Sequence, residues 1–492
     1  MRESLFDLPQ GNKLSLQSQI RELLVSAILG GQIPPQDRLP SSRQMARRLG
    51  VSRNTVVLAY QALIDDGYLV ARERSGYFVN DKILGGRVSR PAAAARTDGH
   101  APDWKARFRV LPAGQENIKK PSNWQDYPYP FIYGQVDHTL FPIAEWRECS
   151  RQALGKQWLD AWTSDFRDRD DPMLVEQIRT RLLPRRGIMA TEDEGLVTLG
   201  AQNALYLLAS LLVARDTVVA MEDPGYTDVR NIFRLRTDRL MPVAVDQQGL
   251  PVDERLARAD LVFTTPSHQF PTTVTMPPER RSALLASAIK HDFVIVEDDY
   301  EFETNYVSEP TPALKSSDRD GRVIYIGSLS KTLFPGLRMG YLVGPAPLIE
   351  QARALRRLMV RHAPNNNQRT AALFLALGYH DALVHRLHRA YRERWMEMGR
   401  ALEVHMPRSS RVPSFGGSSF WVRGPSELDA DELAQVALGE GIIIEPGSIH
   451  FAARSAPRNC FRLGFSSIRA EFIEPGVKLL ARLIARHMGI VG

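Results

Sequence analysis

Residues 328–340 read SLSKTLFPGLRMG, and this stretch decides the fold of most of the chain. It follows an apolar run at 323–326, VIYI, which is short and β-rich as a buried strand would be. The amine of Lys331 comes soon after that run, and Arg338 follows seven residues later. Ligands of open α/β sheets bind beyond the carboxyl ends of the strands. The stretch therefore predicts a strand whose end carries a binding site.

Other short, β-rich apolar runs lie at 217–220, 261–264 and 293–296, and helical patterns separate them. Near-continuous apolar strands between helices are typical of a parallel sheet covered on both faces, so we predict an α/β fold. Polar residues follow each of these runs. We expect them to meet at one edge of the sheet.

The stretch at 328–340 resembles the lysine motif of fold-type I aminotransferases. The resemblance implies a pyridoxal 5'-phosphate cofactor joined to Lys331 as a Schiff base, with Arg338 paired to its phosphate and Ser328 and Ser330 as hydroxyl donors. It covers about residues 126–485. It implies a large domain that extends to about residue 379 and a smaller α+β domain at about 380–490.

More residues fit the same resemblance. Asp298 ends an apolar run, where a carboxylate is costly unless it meets a cation, and the protonated pyridine nitrogen of the cofactor supplies one. By the resemblance, Tyr300 would bond the cofactor's phenolic oxygen and Tyr226 would stack on its ring. Ala201 and Gln202 open an apolar helix whose free N–H groups would hold the phosphate.

The resemblance also implies a ligand-binding arginine and includes one departure. Arg462 matches the arginine that binds a substrate carboxylate as a fork, and a sulfonate would suit it equally. Aminotransferases usually carry Asn-Pro-x-Gly where residues 270–273 read FPTT, so the asparagine that touches the cofactor oxygen is missing. His268 and Gln269 are the candidates to replace it. The loss argues against efficient turnover.

The front of the chain predicts three helices and a hairpin. Leucines and isoleucines recur at helical spacing from Leu14 to Ile28, and Ser41 or Ser42 can cap a second helix that ends at Gly50. Ser52 would cap a third helix, which ends at Gly67. Two β-like runs at 68–70 and 76–79 follow. Two helices about a tight turn make a helix-turn-helix, and the hairpin predicts a wing.

Residues 14–79 closely resemble the GntR-type winged helix-turn-helix, most clearly in LPSSR at 39–43 and LGVSRNTV at 49–56. The tip of the wing departs from the family's usual Gly-Ser-Gly, because residues 74–76 read RSG. The resemblance implies binding to double-stranded DNA through side chains near the recognition helix and through the wing: Arg43, Ser52, Arg53, Thr55 and Gly76.

Charge and composition support this division. The net charge is +7, but residues 1–125 hold 19 basic and 11 acidic side chains, so the excess lies at the front, as suits a polyanion-binding head. We predict a DNA-binding domain at 12–80, a linker at 81–125 that is rich in alanine and proline, and a cofactor-binding domain at 126–490.

Other classes of function find little support. No apolar run is long enough to span a bilayer and the first residues lack a signal-peptide core, so we expect a cytoplasmic, nucleoid-associated protein. Cys149 and Cys460 form no motif. His380, His385 and His388 lack the further ligands that a metal site needs, and we expect no metal.

The whole chain resembles the MocR/GabR branch of GntR-type bacterial transcription regulators. The resemblance implies a homodimer whose two heads bind two half-sites of an operator. Our hypothesis is a regulator that senses an amino compound by aldimine exchange at Lys331. Two alternatives are an active aminotransferase that its head tethers to DNA, and a regulator that senses pyridoxal phosphate itself. γ-Aminobutyrate, taurine, ectoine-derived amino acids and D-alanine-type compounds all remain open as effectors.

Overall fold

The computed structural model describes residues 14–84, 102–163, 169–307, 311–410, 413, 416–452 and 456–489. The chain divides into two compact units, Met1–Arg107 and Phe108–Gly492, here called the head and the body. Each has its own apolar core. This confirms the predicted multidomain architecture.

The head begins with three helices: α1 (Leu16–Leu29), α2 (Ser42–Leu49) and α3 (Arg53–Asp65). Ser41 caps α2, with its Oγ 3.3 Å from the Gln44 amide, and Gln44 returns a bond to the Ser41 amide. Ser52 caps α3, where its Oγ accepts from the Thr55 amide at 3.2 Å. Gly50 takes a left-handed backbone, φ 65°, that turns the chain from α2 into α3. These local signals produce the predicted helix-turn-helix.

The hairpin is a two-stranded antiparallel ribbon of β1 (Leu69–Arg72) and β2 (Gly76–Val79). Arg74 has φ 59°, so it holds the left-handed turn at the position where the family's glycine usually stands. Gly76 follows at φ 106°, and a Cβ there would lie 3.4 Å from Arg38 Nε. A one-turn helix, α4 (Trp104–Arg107), lies at the end of this unit.

The body alternates strands and helices. Its strands are β3 (Tyr129–Pro130), β4 (Gly195–Thr198), β5 (Val219–Asp223), β6 (Leu240–Ala244), β7 (Leu261–Thr264), β8 (Val294–Asp299), β9 (Val323–Ser328), β10 (Gly340–Val343), β11 (Ser419–Arg423), β12 (Ile442–Ile443), β13 (Glu445–Pro446) and β14 (Cys460–Gly464). Its α-helices are α5 (Ile143–Ala153), α6 (Leu159–Thr163), α7 (Pro172–Gln177), α8 (Ala201–Leu212), α9 (Thr227–Arg234), α10 (Pro278–His291), α11 (Ala346–Val360), α12 (Asn365–Ala376), α13 (Tyr379–His405), α14 (Ala430–Gly439) and α15 (Ile473–His487).

Seven strands form the central sheet, in the order β4-β10-β9-β8-β7-β5-β6. Successive residues of β8 show that both faces are covered, because Ile295 packs into one apolar cluster and Val296 into another. Helix α10 covers the first face, and helices α8, α9 and α11 cover the second. Strands buried on both sides explain the continuous apolar runs in the sequence.

The sheet is mixed rather than parallel, which corrects the sequence prediction. Strand β10 runs antiparallel to both of its neighbours, β9 and β4. The connection at 329–339 explains this, since it is too short for the crossover that a parallel neighbour requires. Three strands also continue beyond their apolar runs: β5 to Asp223, β8 to Asp299 and β9 to Ser328.

The smaller α+β region packs an antiparallel sheet, β11-β14-β13, with α13, α14 and α15. Cross-strand pairing places Glu445 of β13 opposite Arg462 of β14. This register matters for the site described below.

The last part of the predicted linker is attached to the body. Gln115 Nε2 donates to the carbonyl of Asn231 at 3.1 Å, and Asn231 Nδ2 donates to the carbonyl of Glu116 at 2.8 Å. Residues 85–101 of the linker lie outside the described residues. No described helix is both long and apolar enough for a membrane span. The described His, Cys, Asp and Glu side chains form no group of three that could hold a metal ion.

Candidate functional site

A cavity of about 550 Å³ opens at the carboxyl ends of β5, β7, β8 and β9. All ten predicted cofactor and ligand residues of the body line it: Ala201, Gln202, Tyr226, Asp298, Tyr300, Ser328, Ser330, Lys331, Arg338 and Arg462. They come from separate segments of the chain. The topology therefore brings together residues that the sequence suggested one motif at a time.

Lys331 carries an amine that is withdrawn from bulk water. Its Nζ lies 3.8 Å from the centre of the Tyr133 ring and 5.9 Å from that of Tyr300. Burial lowers the pKa of Lys331 to about 7, although the nearby Glu301 carboxylate acts in the opposite direction. Much of the amine is neutral near pH 7, which is the form that attacks a carbonyl carbon.

Asp298 is a buried carboxylate without a partner. The residue is 4% exposed, and no donor in the described chain reaches its Oδ1. Burial, followed by the charge of Asp299, raises the pKa of Asp298 to about 7. Asp299 differs, because its Oδ2 pairs with Arg186 at 2.6 Å. An orphaned carboxylate aimed into a cavity fits a ligand that brings its own N–H or positive charge.

The opposite end of the cavity suits an anion. Helix α8 begins at Ala201, so its first N–H groups face this end, and Arg338 Nη2 lies 3.4 Å from Gln202 Oε1. Gly200, at φ 82°, lets the guanidinium approach, since a Cβ there would lie 3.2 Å from Nη2. Among described residues, Ser330 Oγ has no partner. A phosphate group fits this set of donors.

Aromatic side chains form the walls. Phe270 meets Tyr133, Tyr226 and Tyr300 edge to face, with ring centres 5.7, 5.2 and 5.9 Å apart. Tyr300 Oη donates to the carbonyl of His268 at 2.9 Å. An apolar ring therefore stands where aminotransferases carry an asparagine amide.

Neither proposed substitute for that asparagine lines the cavity. Gln269 Nε2 donates to Glu222 at 3.1 Å and to the Pro224 carbonyl at 2.9 Å. His268 Nε2 lies 3.3 Å from Glu301 Oε2. The sequence suggested these two side chains because they immediately precede Phe270. In the structure they contact other groups, Gln269 the Glu222 side chain and His268 the Glu301 side chain.

Arg462 lines the cavity and also has an internal partner. Its guanidinium is sandwiched between Tyr133, at 3.7 Å, and Phe270, at 4.3 Å, and it pairs with Glu445. The arginine that the sequence predicts to bind a carboxylate therefore also takes part in a buried ion pair. Glu445 was missed because the pairing of β13 with β14 creates this contact, and one strand's sequence does not reveal its register.

Other lining residues were also missed by sequence reasoning: Ile118, Lys120, Tyr133, Gly134, Asp228, Thr265 and Pro335. Asp228 accepts from Tyr226 Oη at 3.1 Å and pairs with the Gln202 amide. A carboxylate in the first turn of a helix is common and carries no specific signal of a binding site in sequence. Lys120 lay within the predicted linker and was therefore not considered.

The predicted DNA contacts of the head fall into three groups. Arg43 and Arg53 are exposed and line a shallow cleft with Arg47 at the turn between α2 and α3. Ser52 and Thr55 bond each other at 2.8 Å, so both serve the helix cap. Gly76 lies apart from them, at the start of β2.

Comparison with known proteins supports both parts of this description. Residues 168–479 match the family of class I and II aminotransferases, and residues 16–79 match the gntR family of bacterial regulatory proteins.

Two regulators match over nearly full length. The HTH-type transcriptional regulator TauR of Rhodobacter capsulatus is 45% identical, over 98% of this chain and 99% of its own. The probable rhizopine catabolism regulatory protein MocR of Rhizobium meliloti is 30% identical, over 94% and 93%.

Solved aminotransferases resemble the body. The kynurenine aminotransferase of Pyrococcus horikoshii, solved with PMP, is 26% identical with a TM-score of 0.71, over 78% of this chain and 98% of its own. LysN, the α-aminoadipate aminotransferase of Thermus thermophilus, was solved with a phosphopyridoxyl-leucine adduct. It is 27% identical with a TM-score of 0.70, over 79% and 100%. The chain therefore belongs to the MocR subfamily of GntR-type transcription regulators, in which a DNA-binding helix-turn-helix head is joined to a body with the fold-type I aminotransferase fold.

Proposed function

We propose that this protein is a transcription regulator that holds pyridoxal 5'-phosphate at Lys331 and alters its operator affinity when an amino compound with an acidic group binds. One observation carries the proposal. A single cavity combines the Lys331 amine, the unpartnered Asp298 carboxylate and the Arg338 end of α8 in a chain whose head is of the gntR family.

Each part of the cofactor has a suitable partner. Asp298 would hold the pyridine N–H, the N-terminus of α8 with Arg338 and Ser330 would hold the phosphate, and Tyr226 would lie against the ring. When bound, the cofactor would supply an electrophilic carbon that exchanges one amine for another, and Lys331 would take up the protons that the ligand's ammonium gives up.

Two features favour sensing over turnover. The Phe270 ring stands where an asparagine would contact the cofactor's oxygen, and it offers no hydrogen bond there. The Arg462 guanidinium pairs with Glu445, which fixes its position, and it also lines the cavity, where it can bind an acidic group. A ligand that contacts both Lys331 and Arg462 has a higher affinity for one conformation of the body than for another. A ligand-controlled regulator requires such a difference in affinity.

We further propose that two chains act together. Fold-type I bodies pair, and two heads would read two half-sites of a duplex. The distance between the half-sites would then depend on the bodies and on residues 81–125.

The function can be tested by an absorbance titration of the cofactor-loaded protein with taurine, γ-aminobutyrate and D-alanine, with and without operator DNA selected from a random duplex pool. We expect at least one of these compounds to shift the absorbance band and to change operator affinity by about 5–150-fold, the usual range of coupling between two sites. Sustained amino transfer to a keto acid with no effect on DNA would make the protein an enzyme. A response to the cofactor alone would make it a cofactor sensor.

Arg53→Ala tests the proposed DNA surface. An arginine that forms two bonds to a guanine contributes about 1–3 kcal/mol of discrimination, so we expect operator affinity to fall by roughly 5–150-fold while affinity for unrelated duplex falls less. Arg21→Ala is the matched control, because Arg21 lies on α1 and pairs with Asp66 at 2.7 Å. Fluorescence anisotropy with both duplexes gives the measurement, and unchanged operator affinity in Arg53→Ala would remove this contact.

A further inference from the structure

Lys120 falls in the predicted linker but lies near the start of the body, and it lines the cavity. Ile118 and Lys120 both line that cavity, and the bonds of Gln115 and Glu116 to Asn231 fix the segment just before them. A wall of the ligand site is thus built from residues that the sequence assigned to the linker.

Three basic side chains surround one ring. Measured from the centre of Tyr133, Lys331 Nζ is at 3.8 Å, the Arg462 guanidinium at 3.7 Å and Lys120 Nζ at 5.8 Å. A Cβ built on Gly134 would lie 3.1 Å from Lys331 Nζ and 3.9 Å from Lys120 Nζ. Both amines therefore border the same small space.

The carboxylates near this point, Glu301 and Glu445, form no direct ion pair with Lys120. Glu445 pairs with Arg462 and acts on Lys120 only through its charge, whereas Lys120 Nζ donates to the backbone carbonyl of Tyr133. No carboxylate of the described chain lies within ion-pair distance of Lys120, and burial lowers the pKa of this lysine. A half-buried amine whose hydrogen-bond acceptor is a neutral carbonyl gains a strong interaction when an anion arrives.

We propose that Lys120 binds the acidic group of the effector, together with Arg462, so that the segment leading from the head becomes part of the occupied site. This inference rests on the proposed function. Since both amines border one space, it favours short amino carboxylates or amino sulfonates, in which few bonds separate the amine from the acidic group.

The test uses the full-length, cofactor-loaded protein with Lys120→Met, which keeps an unbranched apolar stem and removes the charge. Lys119→Met is the matched control, because Lys119 is exposed and adjacent in sequence. Taurine, β-alanine and γ-aminobutyrate are the acidic probes, and propylamine is the neutral one. Absorbance titration and calorimetry give ligand affinity, and fluorescence anisotropy gives the change in operator affinity.

In Lys120→Met, we expect affinity for the acidic amines that bind the wild type to fall by at least about tenfold, as for loss of a charged hydrogen bond, with propylamine affinity within about twofold. The ligand-induced change in operator affinity should fall with it, and Lys119→Met should match the wild type. Equal losses for acidic and neutral amines, or no loss, would overturn the inference alone. A wild type that responds to none of the acidic amines would overturn the proposed function as well.

Discussion

Lys331→Ala should abolish covalent attachment of the cofactor, and with it the long-wavelength absorbance band. The amine of Lys331 faces the cavity between Asp298 and the Arg338 end of α8, and its lowered pKa keeps much of it neutral near pH 7. Borohydride reduction, proteolysis and mass measurement of the peptides should find the label on Lys331 in the wild type and none in the variant. The effect is expected to be essentially complete.

The control for this experiment is Lys290→Ala, which removes an exposed lysine of α10 and should leave labelling unchanged. Since the head is a separate compact unit with its own core, operator binding by Lys331→Ala without ligand should survive. Lys120 is the other primary amine among the described residues that line the cavity. Label on Lys120, or a band retained in the variant, would contradict the assignment of Lys331.

Asp298→Asn should have two effects of opposite sign. Without cofactor, the buried carboxylate has an unpartnered oxygen, so its replacement by a neutral amide should stabilise the empty protein. With cofactor, the carboxylate is the expected partner of the pyridine nitrogen, and its loss should weaken cofactor binding by roughly 100-fold or more, as for a buried charge that loses its partner. Thermal unfolding of the empty protein and an absorbance titration with cofactor measure the two effects.

The stabilisation should depend on pH. The pKa of Asp298 is about 7 in the folded protein and about 3.9 in an unfolded chain, so between these values only the unfolded chain loses its proton. The wild type therefore loses stability relative to Asp298→Asn as pH rises from about 4 to about 7, by an amount of the order of a few kcal/mol. Near pH 4 the difference should vanish.

Asp299→Asn is the matched control on the same strand. Asp299 pairs with Arg186 and accepts from Tyr325 Oη at 2.9 Å, so its replacement breaks a buried ion pair and should destabilise the protein by about 3–5 kcal/mol. Equal changes in melting temperature for the two variants would contradict the separate roles given to these carboxylates.

Sequence was sufficient where the signal is local. The caps of α2 and α3 lie within four residues of the amides that they satisfy, and the residues around Lys331 follow directly from the strand before them. Parallel strands that end at one edge then bring most of the predicted residues of the body to one cavity, whereas Arg462 comes from β14 of the smaller sheet.

Sequence was insufficient where two distant segments create the feature. Glu445 meets Arg462 through strand register, and Lys120 enters the cavity because its segment folds back on the body. The antiparallel direction of β10 follows from the length of a loop rather than from the strand's own residues. Each of these features depends on how segments that are distant in sequence pack together, and neither composition nor residue spacing reveals that packing.

The reciprocal bonds between Asn231 and residues 115–116 connect α9 to the segment that leads to Lys120. The first residue of α9 follows Tyr226, which lines the cavity. Asn231, four residues further on, forms hydrogen bonds with residues 115 and 116. Four residues of helix span about 6 Å, so a tilt of about 10° at the first turn moves Asn231 by about 1 Å. A movement of the Tyr226 ring that tilts α9 would therefore shift residues 115–116 as well.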